Sequence, residues 1–393
     1  MVAVFFFSLA LFFLQGLAAL PWLIVLLRRP LAENFPFYLK MLGGVTAGGI
    51  VFAMLLQSST DPFIMSLWGR LYASVLTLQI AIDLFVLVFR LMLIFWSKGG
   101  AVALAAFQEG VRQPMFWMLT LLGSLFMFIS VVIPYFTFGE DLKMVKEISY
   151  ALTMMFPAIF GVISAGTSVS EEIEGRTAVT LLSKPINRRQ FLIGKFMGIM
   201  LAGILMTMLM GWSLIWVVLA KIHYDYVPGI YPLPPDPVWL NPWADQTFGR
   251  TISGDLAKGI ALWLRDTLEA MPGLIIGFGQ VMTLIAVSVA LATRVPKVVN
   301  LSMCLVVYFL GHLTPIMTEV SQGIRLVHFF AQLFELLLPD LDLFDVGTAI
   351  VRDVPLDPDR YALYTANVAL YAIFYTAIAN LVGLILFEDR DVA

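Results

Sequence analysis

Nine stretches of mostly apolar residues run along the chain, near 2–27, 41–57, 71–96, 115–138, 148–168, 191–220, 272–292, 298–317 and 361–387. Each approaches the roughly 20 residues that a helix needs to cross the hydrocarbon core of a bilayer. The pattern predicts an all-α integral membrane protein, a polytopic bundle of about nine transmembrane helices. The first stretch reads as a span and not as a secretory leader: its apolar run is too long, no basic segment precedes it, and no small-residue cleavage site follows. The shortest, 41–57, carries Gly43, Gly44, Gly48 and Gly49, a spacing that suits close packing inside a bundle.

One polar strip stands out between two of these runs: SEEIEGRTAVTLLSKPINRRQFLIGK, Ser170 to Lys195. Ser168 and Glu171 form an S-x-x-E helix-start signal, and Glu172 with Arg176 stands at i,i+4, so a short helix is predicted to about Leu182. Lys184-Pro185 ends it. Asn187 with Gln190 is a second start signal, placing Arg188 and Arg189 near the membrane surface before the next span. On the short helix Ile173, Thr177, Ala178, Leu181 and Leu182 make a mostly apolar stripe, with Glu171, Glu172, Glu174 and Arg176 on the remaining surface. A merely solvated loop has no need of a capped amphipathic helix. The shape expected is a docking element for a partner protein, lying along the membrane face.

Composition agrees with a membrane chain. Of 393 residues, 60% are hydrophobic and 13% charged, with a mean hydropathy of +0.90, against about 45–50% apolar in soluble domains. Cys304 is the single cysteine, which excludes an internal disulfide, and His223, His312 and His328 are too scattered for a zinc cluster.

The net charge of −3 says less than where the basic residues fall. With the polar strip placed in the cytoplasm, alternation puts Arg28, Arg29, Lys40, Lys98, Arg112, Arg176, Lys184, Arg188, Arg189, Lys195, Arg294, Lys297 and Arg390 inside. Basic density over those ~70 inner residues is about twice that over the ~117 outer ones. The N-terminus is therefore expected outside and the C-terminus in the cytoplasm, with two long outer segments at 221–271 and 318–360.

Inside the third stretch, Asp83 and Arg90 lie seven residues apart on one helix face, an intramembrane pair that fits either mutual neutralisation or a substrate pathway. Asp340, Asp342 and Asp345 lack the glycine and terminal glutamate of an EF-hand loop. The proline-rich run Val227 to Trp243 offers aromatic side chains to the outer interface or to an extracellular partner.

The run EEIEGRTAVTLLSKPINRRQFLIGKFMG, Glu171 to Gly198, resembles the cytoplasmic loop of ABC-2 type permeases, the membrane subunits of one class of ATP-binding-cassette (ABC) transporters. AVALAAFQEGVRQPMFW, Ala101 to Trp117, resembles the amphipathic elbow helix that opens such permeases. YFTFGEDLKMVKEISY, Tyr135 to Tyr150, resembles the outer turn of relatives used in copper-site maturation of nitrous oxide reductase and in gliding, and the ending LFEDRDVA resembles their cytoplasmic tail. The resemblance covers 101–393 as a six-helix permease core, and 1–100 is an added region of three helices.

The resemblance implies that Glu171, Glu174, Gly175, Thr177, Leu181, Pro185, Phe191 and Lys195 form the coupling helix and its exit, although Arg176 separates a Gly and a Thr that the family keeps adjacent. Phe107, Gln108, Glu109 and Arg112 belong to the elbow helix, with Phe107 toward lipid. Ser321 to Pro339 looks like the family's short re-entrant helix.

No G-x-x-x-x-G-K-[ST] phosphate loop occurs in the chain, so no enzymatic activity is expected of it and ATP and Mg belong to a partner. The implied partners are a cytoplasmic ABC ATPase subunit, a second permease subunit (the same or a related one) and the bilayer, with no nucleic acid. The implied function is outward movement of a substrate across a bacterial inner membrane. Two alternatives stay open: an ABC-type membrane anchor or assembly subunit for an envelope machine, and a proton-coupled secondary transporter centred on Asp83 and Arg90.

Overall fold

The computed structural model describes residues 2–27, 34–56, 61–135, 140–175, 186–226, 236–248, 252–320, 325–345 and 358–388. Among them there is no strand. The helices are α1 (Val2–Leu27), α2 (Phe35–Leu56), α3 (Pro62–Phe95), α4 (Ser97–Arg112), α5 (Pro114–Ser130), α6 (Asp141–Ala165), α7 (Glu171–Glu174), α8 (Arg188–Tyr224), α9 (Leu240–Phe248), α10 (Ile252–Ala292), α11 (Lys297–Val320), α12 (Arg325–Leu337) and α13 (Pro358–Glu388).

A helix lies in every expected apolar stretch. Among the described residues six qualify as spans by length and composition, namely α2, α3, α6 with its continuation, α8, α10 and α13, or seven if the bent pair α4–α5 is one crossing. Helices α1 and α11 have 26 and 24 residues.

Three boundaries differ from the sequence pattern. The stretch 115–138 is helical only to Ser130, because Pro134 disfavours helix at the residue before it and the Tyr135 hydroxyl donates to the Ser130 carbonyl at 2.9 Å. Helix α10 starts twenty residues ahead of the apolar stretch 272–292; Asp255, Lys258, Arg265, Asp266 and Glu269 are soluble-helix residues, and the helix passes from them into the apolar part without a break. Helix α3 likewise begins at Pro62, not near residue 71.

The chain divides into two compact units, one of residues 1–91 and 232–269, the other of 92–231 and 270–393. The first unit thus joins the N-terminal helices to α9 and the charged first part of α10. Its α1 and α2 form an antiparallel hairpin in which Gly49 lies against the Phe12 ring, while Gly43, Gly44 and Gly48 face open space. The glycine-rich helix is mostly uncovered and not enclosed in a bundle, since only one of its four glycines meets a neighbour.

Helices α3 and α10 cross at Gly69 and Gly259, where a Cβ on Gly69 would lie 2.1 Å from the Leu256 carbonyl oxygen, so no other residue fits. Arg70 then meets Asp266 at 2.6 Å, the buried Trp263 donates its indole N–H to Thr77 Oγ1 at 3.1 Å, and the Tyr72 hydroxyl donates to the Leu11 carbonyl of α1. Gln15 of α1 bonds Gln79 of α3.

In the second unit α4 and α5 meet at a 59° bend, with Gln113 extended and Pro114 opening the new helix, the usual use of proline at a first helical position. Helix α6 continues through a π-helical turn, Gly166–Ser170, straight into α7. Helix α8 is among the most enclosed, burying Phe191, Leu192, Phe196, Ile199 and much of its length beyond. Leu341 N–H bonds the Gly311 carbonyl, which ties the 3-10 turn Asp342–Phe344 to α11.

Candidate functional site

The polar strip is built on a close helix crossing. Gly99, Ala103, Ala106 and Gly110 are the buried face of α4, and Gly194 and Gly198 of α8 lie against it. A Cβ on Gly198 would stand 2.4 Å from the Ala103 carbonyl oxygen. Small residues on both sides let the backbones touch, and that contact carries Glu109 of α4 to Lys195 of α8.

Lys195 is 5% exposed and holds three partners. Its Nζ lies 2.6 Å from Glu172 Oε1 and 3.5 Å from Glu109 Oε2, and it donates to Ser168 Oγ at 2.9 Å. Ser168 in turn donates to Glu109 Oε2 at 3.2 Å. One ammonium therefore ties α4, the π turn, α7 and α8 together. Removing one partner of a buried pair costs about 3–5 kcal/mol, less where the carboxylates reach solvent, as Glu109 and Glu172 do.

The expected S-x-x-E cap at Ser168 does not form, because no helix begins there. The Glu171 N–H is already bonded to the Gly166 carbonyl across the π turn, and the Ser168 hydroxyl is spent on Glu109 and Lys195. A π turn inserts one residue into the helix. The adjacent glutamates point to different sides of the helix and serve different neighbours: Glu172 reaches α8, and Glu171 Oε1 reaches Lys297 Nζ of α11 at 2.9 Å. The stem of Lys297 lies over Gly166, and Ser170 donates to the Ala292 carbonyl. Ile173 is buried, as its stripe position requires.

Gly175 closes the helix with its N–H on the Glu171 carbonyl and is exposed. Glu174 belongs to α7. Arg176, Thr177, Leu181 and Pro185 lie outside the described residues, as does the predicted helix to Leu182. The second start signal is present: Gln190 Oε1 accepts from the Asn187 N–H at 3.2 Å. Arg188 donates to the Phe387 and Glu388 carbonyls at 2.9 and 2.8 Å, a cation on the negative end of α13. Arg189 reaches Glu388 at 3.7 Å with both side chains mostly in solvent, a contact of little energetic weight. Of the elbow residues, Gln108 and Arg112 are exposed and Phe107 is half-buried. Asp83 and Arg90 sit on α3 of the first unit, half-buried and exposed respectively. Among the described residues no group of three or more His, Cys, Asp or Glu could hold a metal.

Three contributors escaped the sequence reading as members of one cluster: Ser168, Lys195 as its centre, and Lys297. The signal was available for Lys195, a lysine embedded in the apolar run FLIGKFMGIM. An ionisable residue inside a span asks for a named partner.

Residues 100–392 match a family model described as ABC-2 family transporter protein. No curated protein matches the chain.

Proposed function

The chain belongs to the ABC-2 family of transporter proteins as a multi-pass membrane permease component, and we propose that it moves a substrate outward with energy from a separate cytoplasmic ABC ATPase. Its N-terminus lies outside a bacterial inner membrane and its C-terminus in the cytoplasm, and two permease subunits pair in the working complex. The segment from Glu171 to Pro185 is the docking element, and the elbow helix is α4.

The observation that carries this reading is the convergence on Lys195. Helix α6 passes from Asp141 to Glu174 without a break, through the π turn. A displacement delivered near Gly175 therefore acts along a continuous rod. Glu172 and Lys195 pass it to α8, and Glu109 passes it to α4. π turns recur at functional positions because the extra residue lets a helix rewind locally, and this one sits between the docking end and the apolar part of α6.

The test is biochemical. The chain purified alone should neither bind nor hydrolyse ATP, a co-expressed ABC ATPase should co-purify with it, and the assembled complex should hydrolyse ATP. Tight ATP binding by the isolated chain contradicts the assignment.

A further inference from the structure

The first unit contains a cavity of about 760 Å³, within the roughly 300–1,000 Å³ of sites that bury a small molecule. Phe7 and Leu11 of α1, Trp243 and Phe248 of α9, and Ala261 and Leu264 of α10 wall it. The rings form a continuous edge, with Trp243 5.8 Å from Phe248 and Phe248 4.9 Å from Phe7. Nothing polar interrupts the wall except at one end, where Arg265 and Glu269 close it.

That end has a defined charge pattern. Arg70, the less exposed of the two arginines, pairs with Asp266 at 2.6 Å. Arg265 reaches the other oxygen of Asp266 at 2.8 Å and Glu269 at 3.3 Å. With Asp266 satisfied from both sides, the groups facing outward are one guanidinium and one carboxylate, a helical turn apart, and the Glu269 side chain is 68% exposed. An anionic ligand meets Glu269 and a cationic one meets Arg265; a ligand carrying both charges meets both.

The surroundings are those of a membrane surface. Leu264 and Leu268 of α10 are exposed and continue the apolar wall outward. Trp239 and Trp243, both well exposed, are the residue type enriched at head-group level. We propose that this cavity takes one acyl chain of a phospholipid whose head group bears a phosphate and a primary ammonium, the phosphate on Arg265 and the ammonium on Glu269. A primary ammonium has N–H groups for the carboxylate, and each contact is a charge-assisted hydrogen bond. This site is independent of the ATPase partner.

The test uses the full chain in phosphatidylglycerol nanodiscs, titrated with brominated-chain phosphatidylethanolamine. The readout is the quenching of Trp239 and Trp243, taken as the difference from a Trp239→Phe/Trp243→Phe variant. Saturable quenching is expected, with a midpoint raised at least about tenfold in Arg265→Gln/Glu269→Gln, which removes both charge-assisted hydrogen bonds. Ala261→Phe, which puts a ring into the cavity where the chain would lie, is expected to abolish the saturable part; the head-group variant, which leaves the apolar wall intact, gives an answer even if that one misfolds. Equal midpoints for brominated phosphatidylethanolamine and brominated phosphatidylglycerol, or an unchanged midpoint in Arg265→Gln/Glu269→Gln, overturn the proposal. So does unchanged quenching in a folded Ala261→Phe chain.

Discussion

Lys195 and Lys221 stand near opposite ends of α8, both buried, and each is held by two carboxylates. Lys195 has Glu172 and Glu109; Lys221 has Asp225 at 2.9 Å and Asp141 at 3.6 Å. About 39 Å of helix separates them at 1.5 Å per residue, and no charged residue falls between. That uncharged length exceeds the ~30 Å hydrocarbon core, long enough for the two lysine clusters to stand at opposite surfaces of a bilayer.

Which surface is which is decided by labelling. Cys304 is the only cysteine and is buried with Asn300 as its neighbour, so Cys304→Ser leaves a background into which single cysteines are placed at Ser58, Ser183 and Asp245. An impermeant thiol reagent on intact cells should label 58 and 245 and spare 183. Labelling at 183 with silence at 245 inverts the topology.

The α4–α8 crossing predicts opposite outcomes for two glycines. Gly198→Ala forces a Cβ into the Ala103 carbonyl and should destabilise the purified protein by about 1–3 kcal/mol. Gly43→Ala meets open space and should be neutral or stabilising by up to about 1 kcal/mol through helix propensity. Thermal unfolding in detergent measures both, and equal shifts contradict the crossing.

The ammonium at the centre of the cluster should couple energetically to its shortest partner. In a double-mutant cycle of Lys195→Met and Glu172→Gln, the interaction energy should reach about 1–3 kcal/mol. Partner binding by Lys195→Met should persist while ATP hydrolysis loses its link to transport. Additive effects within ~0.3 kcal/mol would mean that the contact transmits nothing.

Asp83→Asn tests the proton-coupled alternative. ATP-driven activity should survive the change, because the residue lies on α3 of the first unit; complete loss of transport with ATPase intact points to a proton pathway.

The helices were legible because apolar run length is a direct reading of bilayer thickness, and α1 falls where its run does, at Val2–Leu27. The charged part of a helix was not: the first part of α10 carries five ionisable residues from Asp255 to Glu269, and hydropathy separates what the backbone joins. The strip was legible in type and not in geometry. Ser168 and Glu171 have the residues of a helix start, but a cap needs a free N–H, and the π turn had already used it. Asn187 and Gln190 have the same pattern after a proline, where the helix does begin. Lys195 was visible as a charge within an apolar run, but its partners come from positions 109, 168 and 172, and only the α4–α8 crossing brings them together.

If the exposed end of α7 receives the ATPase, reversing its charge must weaken the complex. The measurement is co-purification of the ATPase, with ATP hydrolysis by the complex, for the wild type, Glu171→Lys/Glu174→Lys and Lys297→Ala. Lys297→Ala breaks the same ion pair to Glu171 but leaves the carboxylate, so it separates docking from local packing. Single ionic contacts at a rim are worth about 1 kcal/mol or less, which makes the double reversal the fair test. The double variant should insert normally and lose most of its partner while Lys297→Ala keeps it. A double variant that retains full partner binding and full ATP hydrolysis contradicts docking at α7.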